Sequence, residues 1–348
     1  LGTHPHNWVY KTSSDGASIT AQCRNSDCKG GGTVTIEPPA ENTLTYDGDP
    51  KAARLTGELK TGVEPEITYE MKKIGQQQFV GLPEGTIPTD AGNYKAVITV
   101  EGVSAYVEYT IQQAKLDISD FVFTPPAGPL VYDGTEKLAT VTSDKIDSNY
   151  IEVTHWYPKD ETGNRGFAFE PKDAGTYFVR IRVNPNTNYE AIQNTIGDEE
   201  NWKFTISPST DCTMRIPESW KNATKVIEGS KYATALAAIT QDGTATVTAD
   251  GVNDEKIYGN VEWYTDEACT QSVDTSEMID GTAGTTVKLY WKFVFADDIQ
   301  KKNYDITKDE TGCVNIEIKE GIPQHLFFRD INGTGANNGF ANYGDTPI

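Results

Sequence analysis

Pro88-Thr89-Asp90-Ala91-Gly92-Asn93-Tyr94 decides the fold, because it comes back 83 residues later as Pro171-Lys172-Asp173-Ala174-Gly175-Thr176-Tyr177. A second marker precedes it in both places. Tyr46-Asp47-Gly48-Asp49-Pro50-Lys51 returns 86 residues on as Tyr132-Asp133-Gly134-Thr135-Glu136-Lys137. Each corner runs into an alternating stretch, Lys95-Ala96-Val97-Ile98-Thr99-Val100 or Phe178-Val179-Arg180-Ile181-Arg182-Val183. The units close on Tyr109-Thr110-Ile111 and Phe204-Thr205-Ile206. Several markers in one order at similar offsets are the signature of an internal repeat.

A third, divergent copy follows. Ile227-Glu228-Gly229-Ser230-Lys231 stands where the Tyr-Asp-Gly turn belongs, Gly229 falling 95 residues after Gly134. Trp263-Tyr264 matches Trp156-Tyr157, and Ala283-Gly284-Thr285 matches the Ala-Gly corner. Asn303-Tyr304 echoes Asn188-Tyr189, and Asn315-Ile316-Glu317-Ile318 supplies the closing strand. This copy lacks both the Tyr-Asp-Gly and the Asp before Ala-Gly, so its turns are expected to differ. The repeats are placed at 37–114, 115–208 and 209–320. An N-terminal β-segment, 1–36, precedes them, and a tail, 321–348, is expected to lead into a missing domain.

Within each unit the apolar period is two, as in half-buried strands, with Gly, Asn, Asp and Pro between the runs. The one helix-compatible stretch, 231–239, is assigned to a strand by the repeat register. Seven or so short strands in roughly 80–110 residues is the spacing of an immunoglobulin-like sandwich. The expected fold is all-β: tandem immunoglobulin-like β-sandwich repeats in an elongated array. Turn chemistry accounts for the repeated residues. Gly48 and Gly134 can take positive φ, and Asp47 and Asp133 can cap the turn with a side-chain hydrogen bond. In the Asp90 and Asp173 corners, Gly92 and Gly175 make the bend and Tyr94 and Tyr177 open the next strand. That pattern is reminiscent of a tyrosine corner, so Tyr46, Tyr132 and these residues are read as fold-specifying.

The Tyr-Asp-Gly opening, the Pro-Thr-Asp-Ala-Gly-Asn-Tyr corner and the closing Tyr-Thr-Ile resemble the Ig-like repeats of large bacterial surface and adhesin-like proteins. That family is called Tyr-Asp-Gly-type or mucus-binding-related. The resemblance covers the first two units well and the third loosely. His6-Asn7-Trp8-Val9-Tyr10, with Ile19-Thr20-Ala21-Gln22-Cys23 and Cys28, is similar to a segment that precedes such repeats in Gram-positive gut bacteria. The resemblance implies an extracellular, wall-attached, multidomain chain whose repeats serve as stalk or adhesive modules. It carries over no catalytic residue. Lys–Asn or Thr–Gln self-crosslinks occur in related surface folds, and no pair here is marked for one.

Charge narrows the partners. With 51 acidic side chains against 30 basic ones, the net charge is -21. Nucleic acid, which is bound by clustered Lys and Arg, is excluded, and an anionic membrane surface would repel the chain. No stretch approaches the roughly 18 apolar residues that span a bilayer. A monomer is expected, with host glycan or extracellular protein as the possible partner. The start at Leu1 suggests a chain from which an export signal has been removed.

Cys23 and Cys28 flank a short loop in the N-terminal segment. A local disulfide is the simplest reading in an exported context, and zinc bound by both thiolates with His4 and His6 is the alternative. Cys212, Cys269 and Cys313 all fall in the third unit, where any one pair could close. No other cofactor is indicated apart from Ca2+ at acidic clusters such as Asp297-Asp298 and Asp198-Glu199-Glu200. The stretch from Asp330 resembles half a calcium loop but has Ala341 where a bidentate Glu is needed. His155 beside Trp156 is read as a structural histidine. No nucleophile elbow, phosphate loop or zinc-protease helix is present, so no enzymatic activity is expected. Trp8, Trp202 and Trp220 are the candidate contact aromatics. The functional expectation is a stalk or spacer, or else an adhesin with a specific glycan or host-protein site, or a Ca2+-rigidified array.

Overall fold

The computed structural model describes residues 6–25, 27–72, 76–168, 170–250 and 255–321. His4, His325, the half calcium loop and the rest of the tail lie outside the described residues. The chain divides into two compact units: 1–126, 139–169 and 178–203 form the first, and 127–138, 170–177 and 204–348 form the second. The division runs through the second repeat.

In the first unit, β1 (Trp8–Thr12), β2 (Ser18–Cys23), β3 (Gly31–Glu37) and β4 (Arg54–Glu58) form one antiparallel sheet in that order. A second sheet has the order β6-β5-β7-β8, from β5 (Ile67–Lys72), β6 (Val80–Gly81), β7 (Gly92–Val100) and β8 (Val103–Ile111). Alternation dictates which side chains go inward. Ile19 and Ala21 of β2 and Val34 and Ile36 of β3 share one core with Tyr94, Ala96, Ile98, Val100, Ala105, Tyr109 and Ile111. Residues 1–36 are expected to form a separate segment, but β1, β2 and β3 supply three of the four strands of one sheet of the first sandwich. The reason is packing: the second sheet alone has an apolar face and nothing to bury it against.

The second repeat contributes β9 (Val122–Thr124) paired with β10 (Thr140–Thr142), and a sheet in the order β12-β11-β13-β14. Its strands are β11 (Ile151–Lys159), β12 (Arg165–Ala168), β13 (Gly175–Val183) and β14 (Ile192–Ile196), with β15 (Lys203–Ile206) also on β13. Tyr177, Val179, Ile181 and Val183 alternate inward along β13, as Tyr94, Ala96, Ile98 and Val100 do along β7.

The second unit adds two sheets. β16 (Cys212–Arg215), β18 (Thr246–Ala249) and β19 (Glu255–Ile257) form one. The other has the order β17-β22-β21-β20, from β17 (Thr224–Ile227), β20 (Gly259–Tyr264), β21 (Thr286–Phe295) and β22 (Thr311–Lys319). β17 runs parallel to β22. The first two repeats make the same parallel contact as single bridges, Thr45 with Gln112 and Val131 with Ser207. The architecture is all-β, a tandem series of immunoglobulin-like sandwiches.

The strand expected over 231–239 is not found. Residues 232–239 form helix α1 (Tyr232–Ile239), not a strand. Tyr-Ala-Thr-Ala-Leu-Ala-Ala-Ile is rich in strong helix formers, and Tyr232, Ala235 and Ile239 lie at helical spacing and are all buried. Those three pack with Trp220, Trp291 and Ile316 in the core of the unit. Helix α2 (Asp298–Asn303) sits between β21 and β22, capped by the Asp297 carboxylate on the Ile299 and Gln300 amides.

Candidate functional site: the repeat junctions and an N-terminal thiol–imidazole cluster

The junctions are built on the Tyr-Asp-Gly turn. Gly48, Gly134 and Gly229 take φ of 87°, 74° and 80°, where a Cβ would be strained. Asp47 accepts from the Asp49 amide at 2.9 Å and the Lys51 ammonium at 2.6 Å. Asp133 accepts from the Thr135 amide at 2.9 Å and Lys137 at 2.6 Å. Burial pushes the Asp133 carboxyl up, but Lys137 and Thr135 outweigh it and bring it down to about 2. The next link ties turn to corner: the Lys51 amide donates to the Pro88 carbonyl at 2.7 Å, and the Lys137 amide to Pro171 at 3.0 Å.

The corners follow the same scheme. The Tyr94 hydroxyl donates to the Asp90 carbonyl at 2.8 Å, and that of Tyr177 to the Asp173 carbonyl at 2.8 Å. Burial and the neighbouring Asp90 push the Tyr94 hydroxyl up to about 12. These bonds hold each corner so that the Asp carboxylate and the Ala amide after it face an asparagine of the following repeat. The Ala91 amide donates to Asn188 Oδ1 at 2.9 Å, while Asn188 Nδ2 donates to Asp90 Oδ1 at 3.0 Å. The Ala174 amide donates to Asn303 Oδ1 at 2.7 Å, while Asn303 Nδ2 donates to Asp173 Oδ1 at 2.9 Å.

The neighbouring tyrosine repeats as well. Tyr189 sets its edge on Tyr46 with centroids 5.4 Å apart, and Tyr304 meets Tyr132 at 5.2 Å. Backbone bonds bracket each asparagine: Ala114 amide to Asn188 carbonyl and Glu190 amide to Ala114 carbonyl, both 2.9 Å. At the second junction Ser209 and Asn303, then Asp305 and Ser209, are paired the same way at 2.8 Å. Each junction is internal to one of the compact units. Net, each neutral bond contributes about 0.5–1.5 kcal/mol and each bond to a carboxylate about 1.5–3.

The asparagines come from the connection after the corner strand. In the first repeat that connection is the two-residue turn Glu101-Gly102 between β7 and β8, too short to project one. In the second it is eight residues, 184–191, and in the third it holds α2. The third repeat's own corner also differs. Its Ala283 amide donates to Glu228 Oε2 at 3.2 Å, within the same repeat. Asn188, Tyr189, Asn303, Tyr304 and Glu228 were not singled out as functional residues from sequence. The signal was present: Asn-Tyr follows the corner strand in the second and third units, as Asn188-Tyr189 and Asn303-Tyr304, and the first unit has Glu101-Gly102 at that place.

At the other end of the first sandwich, β1 and β2 bring His6, Cys23 and Cys28 together. Cys23 ends β2 opposite Trp8, and the Arg24 amide donates to the Asn7 carbonyl at 3.0 Å. His6 Nδ1 lies 3.1 Å from Cys28 Sγ, and the imidazole stacks on Trp8 with centroids 4.8 Å apart. Both cysteines are free thiols, so the expected disulfide is not what the structure holds. Burial pushes the Cys23 thiol up, but hydrogen bonds with Cys28, the Asn25 backbone, His6 and the Asn7 backbone bring it down to about 6. The Cys28 thiol is pushed up, first by its bond to Cys23.

Other predicted residues take structural places. Cys212, Cys269 and Cys313 are also free thiols, so no pair closes among them. Trp202 and Trp220 are buried in cores and offer no contact surface; Trp8 is half-buried beside an open groove of about 570 Å³ that Tyr10, Arg24 and Glu101 also line. His155 Nε2 accepts from the buried Ala139 amide at 3.2 Å, the place Tyr69 takes for Ala53 one repeat earlier. Of the acidic clusters, Asp297 caps α2 and Asp198 caps the turn at Glu200-Asn201. Glu199 pairs with Arg165.

No family model matches the chain. Among curated proteins, Beta-agarase A from Vibrio sp. (strain JT0107) is 25% identical over 370 aligned residues, covering 95% of this chain. The chain spans about a third of that relative's own length, 32%. This relative is an enzyme, which contradicts the expectation of no enzymatic activity. Among solved structures, the N-terminal four Ig domains of Dscam1 isoform 9.44 match over 83% of this chain and 78% of theirs, at 11% identity and a TM-score of 0.19. The N-terminal eight Ig domains of DSCAM isoform 1.30.30 match over 88% of this chain and 41% of theirs, at 12% identity and a TM-score of 0.24.

Proposed function

We propose that the chain is a spacer: immunoglobulin-like sandwiches in series within a longer extracellular bacterial protein, with junctions that set each repeat on the next. The observation that carries this is the duplicated contact. Asn188 with Tyr189 and Asn303 with Tyr304 engage the preceding corner through the same atoms at matching distances. Sandwiches joined only by a linker move independently by default, so a contact repeated at two successive junctions restrains orientation. The second repeat engages the corner of the first, and the third engages the corner of the second, so both contacts run in the same direction along the chain. Small-angle scattering on the Asn188→Ala, Asn303→Ala double variant tests the reading. A broader size distribution with unchanged circular dichroism supports it, and an unchanged scattering profile sinks it.

The agarase similarity and the groove beside Trp8 favour a second reading, in which the first sandwich also offers a surface to polysaccharide. Retention of the chain on agar, lost in Trp8→Ala, would support it. Free elution of the unaltered chain would count against it.

A further inference from the structure

The three N-terminal donors form a set that neither reading uses. Their ligand atoms, one nitrogen and two sulfurs, all lie within 4.8 Å of one another. A tetrahedral zinc ion with Zn–S about 2.3 Å and Zn–N about 2.0–2.1 Å spaces its donors about 3.6–3.8 Å apart, inside that span. Cys23 and Cys28 enclose four residues, within the ligand spacing of zinc-binding loops. We infer that His6, Cys23 and Cys28 bind a zinc-type divalent cation, with a fourth, solvent-facing position for water.

The surroundings fit a held ligand set. The Gly30 amide approaches Cys28 Sγ at 3.4 Å, an N–H placed to support that sulfur as a ligand. A Cβ on Gly30 would come to 3.0 Å from the Trp8 ring and 3.4 Å from Cys28 Sγ, so glycine is what lets the loop close over the sulfur. The Trp8 ring holds the imidazole plane from one face. Two thiolates and an imidazole are a soft set that selects zinc over calcium or magnesium. The ion would tie the segment before β1 to the end of β2 and the loop after it. β1 is an edge strand paired on one side only, so the site would act as a clasp on the edge of the first sandwich.

Cobalt(II) is the probe, added to the full chain purified under reducing conditions, with zinc as competitor. The expected result is a thiolate-to-cobalt charge-transfer band and tetrahedral d–d bands that saturate at one equivalent and vanish on adding zinc. Cys23→Ser and Cys28→Ser should each abolish the charge-transfer signature or weaken binding at least about tenfold, and His6→Ala should weaken it by a similar factor. Cys212→Ser should leave the spectrum unchanged, and circular dichroism confirms that each variant is folded. The inference is overturned if the reduced chain gives no charge-transfer band, or if the bands survive in Cys23→Ser. It is equally overturned if protein prepared without reductant holds Cys23 and Cys28 as a disulfide that resists reduction in the folded state.

Discussion

The corners at Ala91 and Ala174 give their amide to an asparagine of the next repeat, whereas the corner at Ala283 gives its amide to Glu228 of its own repeat. A buried or half-buried amide must be answered by some acceptor, and the comparison shows two ways of supplying one. With Asp in the Tyr-Asp-Gly turn, the carboxylate is taken by the lysine four residues on, and the corner amide stays available to a neighbour. With Glu228 in that place, the longer side chain reaches the corner amide itself. Thr282 replaces the corner Asp, so the second half of the docking pair is missing too. A few substitutions separate a corner that docks an asparagine of the next repeat from one whose amide is answered within its own repeat.

The largest effect that could break this comparison is at the second junction. Asn303 is 2% exposed, so Asn303→Ala strands a buried amide and the Asp173 carboxylate. It should destabilise the second unit by about 2–3 kcal/mol in urea unfolding. Asn188 is half-buried, and water can take its place. Asn188→Ala should therefore cost about 1 kcal/mol, and equal losses at both sites would show that burial does not set the difference. Glu228→Ala should cost less than about 1 kcal/mol, since the Ala283 corner is more exposed. Its effect should stay local: a shifted Asn303 side-chain amide resonance in that variant would mean the two corners are not independent.

The smallest expected effect is on acid stability. The Asp133 carboxyl has a folded value of about 2 against an ordinary 3.8. A depressed carboxyl contributes stability that is complete above 3.8 and fades as pH falls through about 2. Asp133 is 46% exposed, so solvent screens much of its pairing with Lys137. Asp133→Asn should slightly flatten the fall in melting temperature within that window, and an unchanged slope would remove the turn from the acid response.

The all-β architecture was legible because period-two runs and Gly-rich corners are local, and each repeat states them afresh. Gly48 and Gly134 could be placed in turns from their neighbours alone. Repeat register points to a strand at 232–239, but the local propensity of an alanine-rich stretch wins and α1 forms. The role of residues 8–37 was hidden for a different reason: which sheet covers an apolar face is a long-range matter. The same holds for Asn188 and Asn303, whose partners lie 97 and 129 residues away in sequence. The echo of Asn-Tyr between two units marked an equivalence, but only packing shows that it points at the previous corner. The proximity of His6 to Cys28, 22 residues on, depends on the β1–β2 pairing, so spacing alone left disulfide and metal open.

A double-mutant cycle between Asn303→Ala and Asp173→Ala in the full chain tests the docking contact most directly. If Asn303 bonds the corner as described, the two losses will fall short of additivity by about 1 kcal/mol or more. Losses that add to within about 0.3 kcal/mol would show that the two residues do not interact, and the account of the junction would fail.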